Sequence, residues 1–456
     1  MAFDKAYLKL KNQNPRGIPD EYTYWGRDDS IATITTSGYF SAGDFDAKQD
    51  PRGILKDPPD TSEVLIHVSC ADGSYQVSYD VVSGVVSVVS AQPSSDVVYT
   101  AGTGGDFTNA DDALKLIMKK GKGYYGENPL VELRLLTGFQ LDKSIIFDGI
   151  NGGFITITSD DAEVTIDRSG LVATNIPNLD YNSTPAFLAV NGGTLPTVGA
   201  LFSMDTSGSA DSAKQHGVMA AWGGHVNVSY GCGVKNATGR GLYLVNASGY
   251  ARNSVWDGAG TRGIRAGNGS LLNVRGASAT GCGEYGLAMG GASLVTASGL
   301  DVSGCLNTGI LVDNGSQLNA DSVVASGCAT NGMDVKFGST VNVYAGDFSN
   351  SGARAVDITS SLVEMENANC SNAGSTPIVI NKGSNVNAQN VTATTTGNTV
   401  AVSCTASRLN FKNGTASSTG AQPIRVFDGA MIVAVGSTGG FNVAANTVTV
   451  NGIIFK

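Results

Sequence analysis

The stretch Ser303–Asn319, SGCLNTGILVDNGSQLN, is followed 23 residues later by Ser326–Asn342, SGCATNGMDVKFGSTVN, with the same layout. Each copy sets a Ser-Gly-Cys corner, an alternating aliphatic pair, a Gly-Ser corner and a second short apolar strand. Working outward, Gly281, Gly304, Gly327, Gly352, Gly374, Gly397 and Gly420 mark one corner, in steps of 23, 23, 25, 22, 23 and 23. Gly269, Gly291, Gly315, Gly338, Ser360, Gly383, Ala406 and Gly429 mark a second corner with similar steps. Two markers that drift together define a structural repeat, and this period belongs to solenoids, propellers or arrays. Short alternating strands without a repeated helix select a β-solenoid.

Laid on one another, the turns align Ile310/Val312, Met333/Val335, Val356/Ile358, Ile378/Ile380, Val400/Val402 and Ile424/Val426. Leu318/Ala320, Val341/Val343, Leu362/Met365 (with a one-residue offset), Val386/Ala388 and Leu409/Phe411 form a second set. Alternation predicts each pair inside and the residue between outside. One coil is then two clear strands and a weaker third, joined by Gly-rich corners. The fold class is all-β: a parallel β-helix with roughly 23 residues per coil and coils about 4.8 Å apart. Cys282, Cys305 and Cys328 take equivalent positions in successive coils, which reads as a stacked column of small buried thiols.

Composition agrees. The 456 residues include 60 Gly, and 15% are charged, with a net charge of −10. An acidic balance argues against nucleic acid as a partner. No apolar run of about 18 residues is present, so no membrane insertion is expected. The start, MAFDKAYLKLKNQNPRG, lacks the apolar core of a signal peptide, so synthesis in a cytosol without general export is expected. None of the seven cysteines forms a C-x-x-C pair, so neither a zinc site nor a cofactor is expected.

Residues 1–95 read as a separate small β module, with alternating runs at Val64–Ser69, Tyr75–Tyr79 and Val85–Ser90 and a linker at Ala91–Asp96. Residues 96–171 open with a helix: Asn109 as N-cap, Asp111 and Asp112 in the first turn, Ala113, Leu114, Ile117 and Met118 on one face, and Gly121 as the stop. This helix is expected to cap the open end of the core. Strands are expected at Val131–Leu136, Ser144–Phe147, Phe154–Thr158 and Glu163–Asp167. Residues 172–215 read as an irregular excursion, and residues 216–456 as the β-helix shaft.

Together these elements resemble bacteriophage tail fibre and tailspike proteins with a pectin-lyase-like right-handed β-helix. The stretch Tyr22–Gly43, YTYWGRDDSIATITTSGYFSAG, resembles their short virion-attachment modules, and TGGDFTNADDAL with its helix resembles the opening of their β-helix. The resemblance implies a homotrimer in the virion, made in the host cytoplasm and joined to other tail or baseplate proteins through the N-terminal module. It implies a shaft that contacts host surface polysaccharide and in many members cleaves it. The coil pattern runs almost to Lys456, so no separate C-terminal domain is expected, which favours an adhesin over a large enzymatic spike.

Enzyme activity is left open by the sequence. Glycoside hydrolysis uses two carboxylates, and Asp334 and Asp357 both lie between inward residues, in adjacent coils. Stacked that closely, like charges raise one pKa, as a general acid requires. Glu364 lies on the next strand of the Asp357 coil and faces either the same groove or another. The competing reading, and the favoured one, is a solvated acidic patch or a cation site. A second outward column holds Asn227, Asn273, Asn319, Asn342, Asn387 and Asn410, with Glu364 in one coil. Its amides suit sugar hydroxyls, with Asn319 and Asn342 as candidates, but a structural ladder is the favoured reading. Tyr243, Arg265 and Arg425 share the column of Asp334, which suits a recognition face. His67, His216 and His225 read as loop or surface residues, and no nucleophile-elbow motif accompanies them. Hydrolase is favoured over lyase because the outer columns are poor in lysine.

Overall fold

The computed structural model of the chain describes residues 8–12, 21–26, 63–70, 73–80, 86–91, 97–121, 131–171, 183–205, 215–395, 400–418, 423–439, 447–448 and 451–456. They belong to two compact units: residues 1–137 with 149–160, and residues 138–148 with 161–456. Most of Tyr22–Gly43, the Ala91–Asp96 linker beyond its first residue, and the corners at Gly397 and Gly420 lie outside the described residues.

In the first unit, Leu8–Asn12, Glu21–Gly26, Glu63–Cys70, Gly73–Asp80 and Val86–Ala91 make one five-stranded sheet in that order. Glu63–Cys70 and Gly73–Asp80 pair antiparallel, and Ile66, Val68 and Val77 are buried. The expected helix spans Ala110–Lys120. Asn109 caps it by accepting from the Asp112 backbone N–H, and Gly121 ends it at φ 74°. Ala110, Ala113, Leu114 and Ile117 form its buried face, which packs on Val97–Ala101 and Val131–Leu135.

The second unit is a parallel β-helix. Its long sheet stacks thirteen short strands from Ile145–Asp148 to Thr447–Val448, and its second sheet stacks eleven from His225–Asn227 to Ile453–Phe455. The third side begins as a four-stranded sheet of Gln140–Leu141, Val164–Ile166, Leu201–Met204 and Gly233–Lys235, thins to a line of single bridges through Val255, Ser278, Asp301, Val324 and Asp347, and is a sheet again from Asn369–Ala373. A side made of single bridges accounts for the weak third strand in the sequence pattern.

The corner between the two sheets explains the second glycine series. Gly269, Gly291, Gly315, Gly338, Gly383 and Gly429 all have positive φ, and so do Ser360 (51°) and Ala406 (48°), which replace glycine there. The six glycine corners are each a pair of left-handed residues, such as Asn314 (51°) with Gly315 (71°), and those at Ser360 and Ala406 are a single one, the conformation glycine adopts without steric cost. A buried serine follows. Ser270, Ser293, Ser339 and Ser384 each donate an Oγ–H to the carbonyl three residues back, which closes the turn.

Inside, Trp256, Phe187, Phe202, Phe348 and Phe411 are fully buried, and each such side chain contributes roughly 1.5–3 kcal/mol. Cys282, Cys305 and Cys328 are buried free thiols, and their S–H groups donate to backbone carbonyls such as Val302 O, 3.2 Å from Cys305 Sγ.

Four expectations differ from the structure. Ile378 and Ile380 pair with Val402 and Cys404, not with Val400 and Val402. A slip of two residues keeps the inside-outside parity, so alternation could not reveal it. Val363, not Leu362, is the inward partner of Val341, and Leu362 is 42% exposed. Within 172–215, Thr184–Val190 and Leu201–Met204 are regular coil strands in register with their neighbours, and Thr184–Val190 is almost wholly buried. In Thr184–Val190, packing on both faces hides the alternation that marks the later coils. Finally, His216 is fully buried within Gln215–Ala221, and His225 is half-buried within His225–Asn227.

Candidate functional site

The outer face of the long sheet brings the unusual side chains together. One column runs in strict register through Met219, Tyr243, Arg265, Ala288, Leu311, Asp334, Asp357, Val379, Ser403 and Arg425. A parallel column three residues upstream holds Arg240, Arg262, Tyr285 and Thr308. Between the columns, glycines such as Gly241, Gly263, Gly286 and Gly332 turn inward, where an added Cβ would strike Trp256, Ala279, Val302 or Phe348. This inward kink is what lets the upstream column face out.

Asp334 and Asp357 are direct register partners, as the sequence predicts, with strands roughly 4.8 Å apart. Their surroundings are unequal. Asp334 is only 7% exposed, although it points away from the core. Its Oδ1 accepts from Asn331 Nδ2 at 2.6 Å and its Oδ2 from Lys336 Nζ at 3.0 Å. Asp357 Oδ2 accepts from Arg354 Nη1, while its Oδ1 is buried with no hydrogen-bond partner. Burial, with the Asp334 charge adding to it, raises the Asp357 pKa against the opposing pull of Arg354 and Lys336. Burial works to lower the Lys336 pKa, but Asp334 and Asp357 carry it upward.

Toward the N-terminal coils the face turns aromatic and basic. Tyr243 is buried in an outer apolar cluster with Leu188, Val190, Met219, Ala221 and Val245. The Arg240 guanidinium lies 4.2 Å from its ring centroid, and the His216 ring meets it edge-on at 5.3 Å. His216 Nδ1 accepts from the Arg240 backbone N–H at 3.2 Å, and burial with the Arg240 charge lowers its pKa to about 3. Arg262 lies over Tyr285 at 5.5 Å and reaches Glu284 at 3.3 Å. Arg265 is half-buried, and its guanidinium runs beside Gly267 and Gly290, with Nη2 3.5 Å from where a Gly290 Cβ would stand.

The other candidates lie on the second sheet. Glu364 is exposed there and not on the aspartate sheet, and it accepts from Asn387 Nδ2 at 2.8 Å. Asn319, Asn342, Glu364, Asn387 and Asn410 are register partners in sequence. Asn410 Nδ2 donates to Asn387 Oδ1 at 3.0 Å, so this end of the column is a ladder. Asn319 and Asn342 are exposed. Higher in the same sheet, His225 bridges Ser248 Oγ (2.7 Å) and Asn227 Oδ1 (3.2 Å).

Tyr243 has Arg240 over its ring and His216 against it, and Tyr285 is a half-buried aromatic on this face. The arginines at 240 and 262 escaped the sequence reading, which looked for lysine. Their 22-residue spacing, one coil, was the available signal.

Residues 216–348 match a family model described as a right handed beta helix region, and the coils are right-handed. No curated protein sequence matches the chain. Among solved structures, the periplasmic alginate epimerase AlgG is similar at 13% identity and a TM-score of 0.41, over 71% of this chain and 78% of that one. Pectate lyase Pel9A is similar at 14% identity and a TM-score of 0.38, over 67% and 78%. Dettilon tailspike protein is similar at 14% identity and 0.38, over 70% and 62%. No helix among the described residues is long and apolar enough to cross a membrane.

Proposed function

We propose that the protein engages a bacterial surface polysaccharide along the outer face of the long sheet and hydrolyses it as a glycoside hydrolase. The observation that carries this reading is the register pairing of Asp334 with Asp357 in unequal surroundings. Asp357, with a raised pKa and one buried, unpartnered oxygen, is suited to general acid. It gives its proton to the glycosidic oxygen as the bond to the anomeric carbon breaks. Asp334, beside Lys336, supplies the carboxylate that attacks that carbon. Water, deprotonated by Asp357, then releases the sugar. A strand spacing of about 4.8 Å fits the roughly 5 Å separation of retaining enzymes.

A second reading, adhesion without cleavage, is supported by the ion pairs that already occupy both carboxylates, Asp334 with Lys336 and Asp357 with Arg354. In either case the N-terminal resemblance supports a homotrimeric tail fibre or tailspike in a virion, joined to other tail or baseplate proteins. Incubation with host capsule or lipopolysaccharide tests the enzyme reading. Released reducing ends are expected from the wild type, and Asp357→Asn should lower their rate by about 10²–10⁴-fold. Polysaccharide that is bound but left intact would leave adhesion standing and remove hydrolysis. A monomer by light scattering would remove the trimer.

A further inference from the structure

We propose that the arginine end of this face, Arg262 and Arg265 with Tyr285, is a subsite for the oxyanion of an acidic sugar. The inference rests on the polysaccharide reading above and narrows its substrate to an anionic polymer. Three arginines lie in two successive coils. Arg240 stands opposite Arg262 in the ladder, and Arg265 sits one column across in the same strand as Arg262. Like charges stacked on neighbouring strands are unfavourable, and the chain as a whole carries a net charge of −10, so this local excess of positive charge goes against its surroundings.

The arginines differ in what already holds them. Arg262 has Glu284, at 3.3 Å. Arg240 rests on the Tyr243 ring. Arg265 makes no hydrogen bond or ion pair with any described residue, although its neighbours include a carboxylate, Asp313, close enough to be felt electrostatically. Burial, and then the charges of Arg262 and Arg240, lower its pKa, while Tyr243 and Asp313 oppose them. A half-desolvated guanidinium repelled by two others binds an anion more strongly than a solvated one. Its fork of N–H donors suits a bidentate carboxylate or phosphate ester.

The floor around it is shaped for a chain. Gly267 and Gly290 leave the guanidinium lying along the backbone, where a Cβ added at either position would already stand in van der Waals contact with it. Tyr285, half-buried beside Arg262, offers a ring on which a sugar can stack. Toward the aspartates the column continues through Ala288 and Leu311, small and apolar. Arg265 stands three strand spacings from Asp334, roughly 14 Å, so one extended glycan could reach both.

The test uses acidic host surface polysaccharides, the same polymers after carboxyl reduction or removal of phosphate, and free glucuronate and glucose 6-phosphate as probes of the subsite alone. Wild-type protein should bind the acidic polymer, more weakly as salt rises, and lose about tenfold in affinity once the responsible anion is removed. The arm that loses binding identifies carboxylate or phosphate. Arg265→Gln should cost a similar factor on the acidic polymer and nothing on the neutralised one, with Arg265→Lys intermediate. Arg262→Gln provides the same reading should Arg265→Gln not fold. Equal affinity for acidic and neutralised polymer, or an unchanged Arg265→Gln, overturns the subsite. Asp357→Asn, by contrast, should keep acidic binding while losing cleavage, so loss of hydrolysis alone removes the enzyme reading and not this one. Binding of a monosaccharide anion that disappears in Arg265→Gln supports the subsite even if no polymer is bound. No detectable binding of either free anion at millimolar concentration, together with no polymer binding, overturns it.

Discussion

The two outer faces of the β-helix are built on the same coils and behave differently. On the second sheet the outward column repeats: Asn319, Asn342, Asn387 and Asn410, interrupted by Glu364, with amides bonded to neighbours at its C-terminal end. On the long sheet the outward column changes at almost every coil, from Tyr243 and Arg265 through Ala288 and Leu311 to the two aspartates. Repetition on the first face satisfies polar groups by stacking like on like. Variation on the second leaves charged groups half-buried and unequally partnered, at a cost in stability that a scaffold alone would not need. Function in a solenoid is therefore to be sought where the repeat fails.

The largest effect that sharpens this contrast is on catalysis. Asp357→Asn and Asp334→Asn should each reduce polysaccharide cleavage by about 10²–10⁴-fold with the fold retained. Cleavage should also fall as pH rises through the raised Asp357 pKa, where the residue loses the proton it must donate. The linkage has a definite sign. A carboxyl whose native pKa is raised holds more protons folded than unfolded, so its contribution to stability declines as pH rises from the ordinary carboxylate value through the raised one. Urea titrations of wild type and Asp357→Asn across that range should converge at low pH and separate above it, with the variant the more stable. Curves that stay parallel would mean that Asp357 is an ordinary surface carboxylate and the two faces are alike.

Next in size is the acid response of His216, also on the long-sheet side. Its pKa falls from 6.5 to about 3 on folding, through burial first and Arg240 second. The unfolded chain then binds the proton more readily, so stability present above about 6.5 is lost as pH falls toward about 3, by a few kcal/mol in all. His216→Asn, which cannot titrate, should flatten this slope while keeping an acceptor for the Arg240 amide. An unchanged acid midpoint would show that other groups govern acid unfolding.

Much of this architecture is legible in the chain, because a corner and an inward column repeat their physical demand every coil. The eight positions from Gly269 to Gly429 all take left-handed φ, including the two where glycine is absent. Direction was legible as well: Asp334 and Asp357 point outward and stack. Cover was not. Alternation says which side of a strand a residue faces, not whether that side is itself packed, so the burial of Asp334, Tyr243 and His216 could not be read. Register was legible only modulo two, hence the slip at Val400 and Val402. The arginine pair at 240 and 262 needed the coil spacing applied to charge as it was applied to glycine.

The smallest effect separates the halves of the asparagine column itself. Asn387 donates to Glu364 and Glu366 and accepts from Asn410, so Asn387→Ala leaves three polar groups to re-pair with water. A loss of about 1 kcal/mol is expected by urea denaturation, with cleavage unchanged. Asn319 is exposed and has no such side-chain partners in its column, so Asn319→Ala and Asn342→Ala should leave stability within about 0.5 kcal/mol. Their proposed contact with glycan is then read directly from polysaccharide binding. A several-fold loss there would make the second sheet a contact surface too and would break the division between a repeating scaffold face and a varied working face. Unchanged binding confines the work to the long sheet, because a column that neither stabilises nor binds at these positions is simply the outside of the coil.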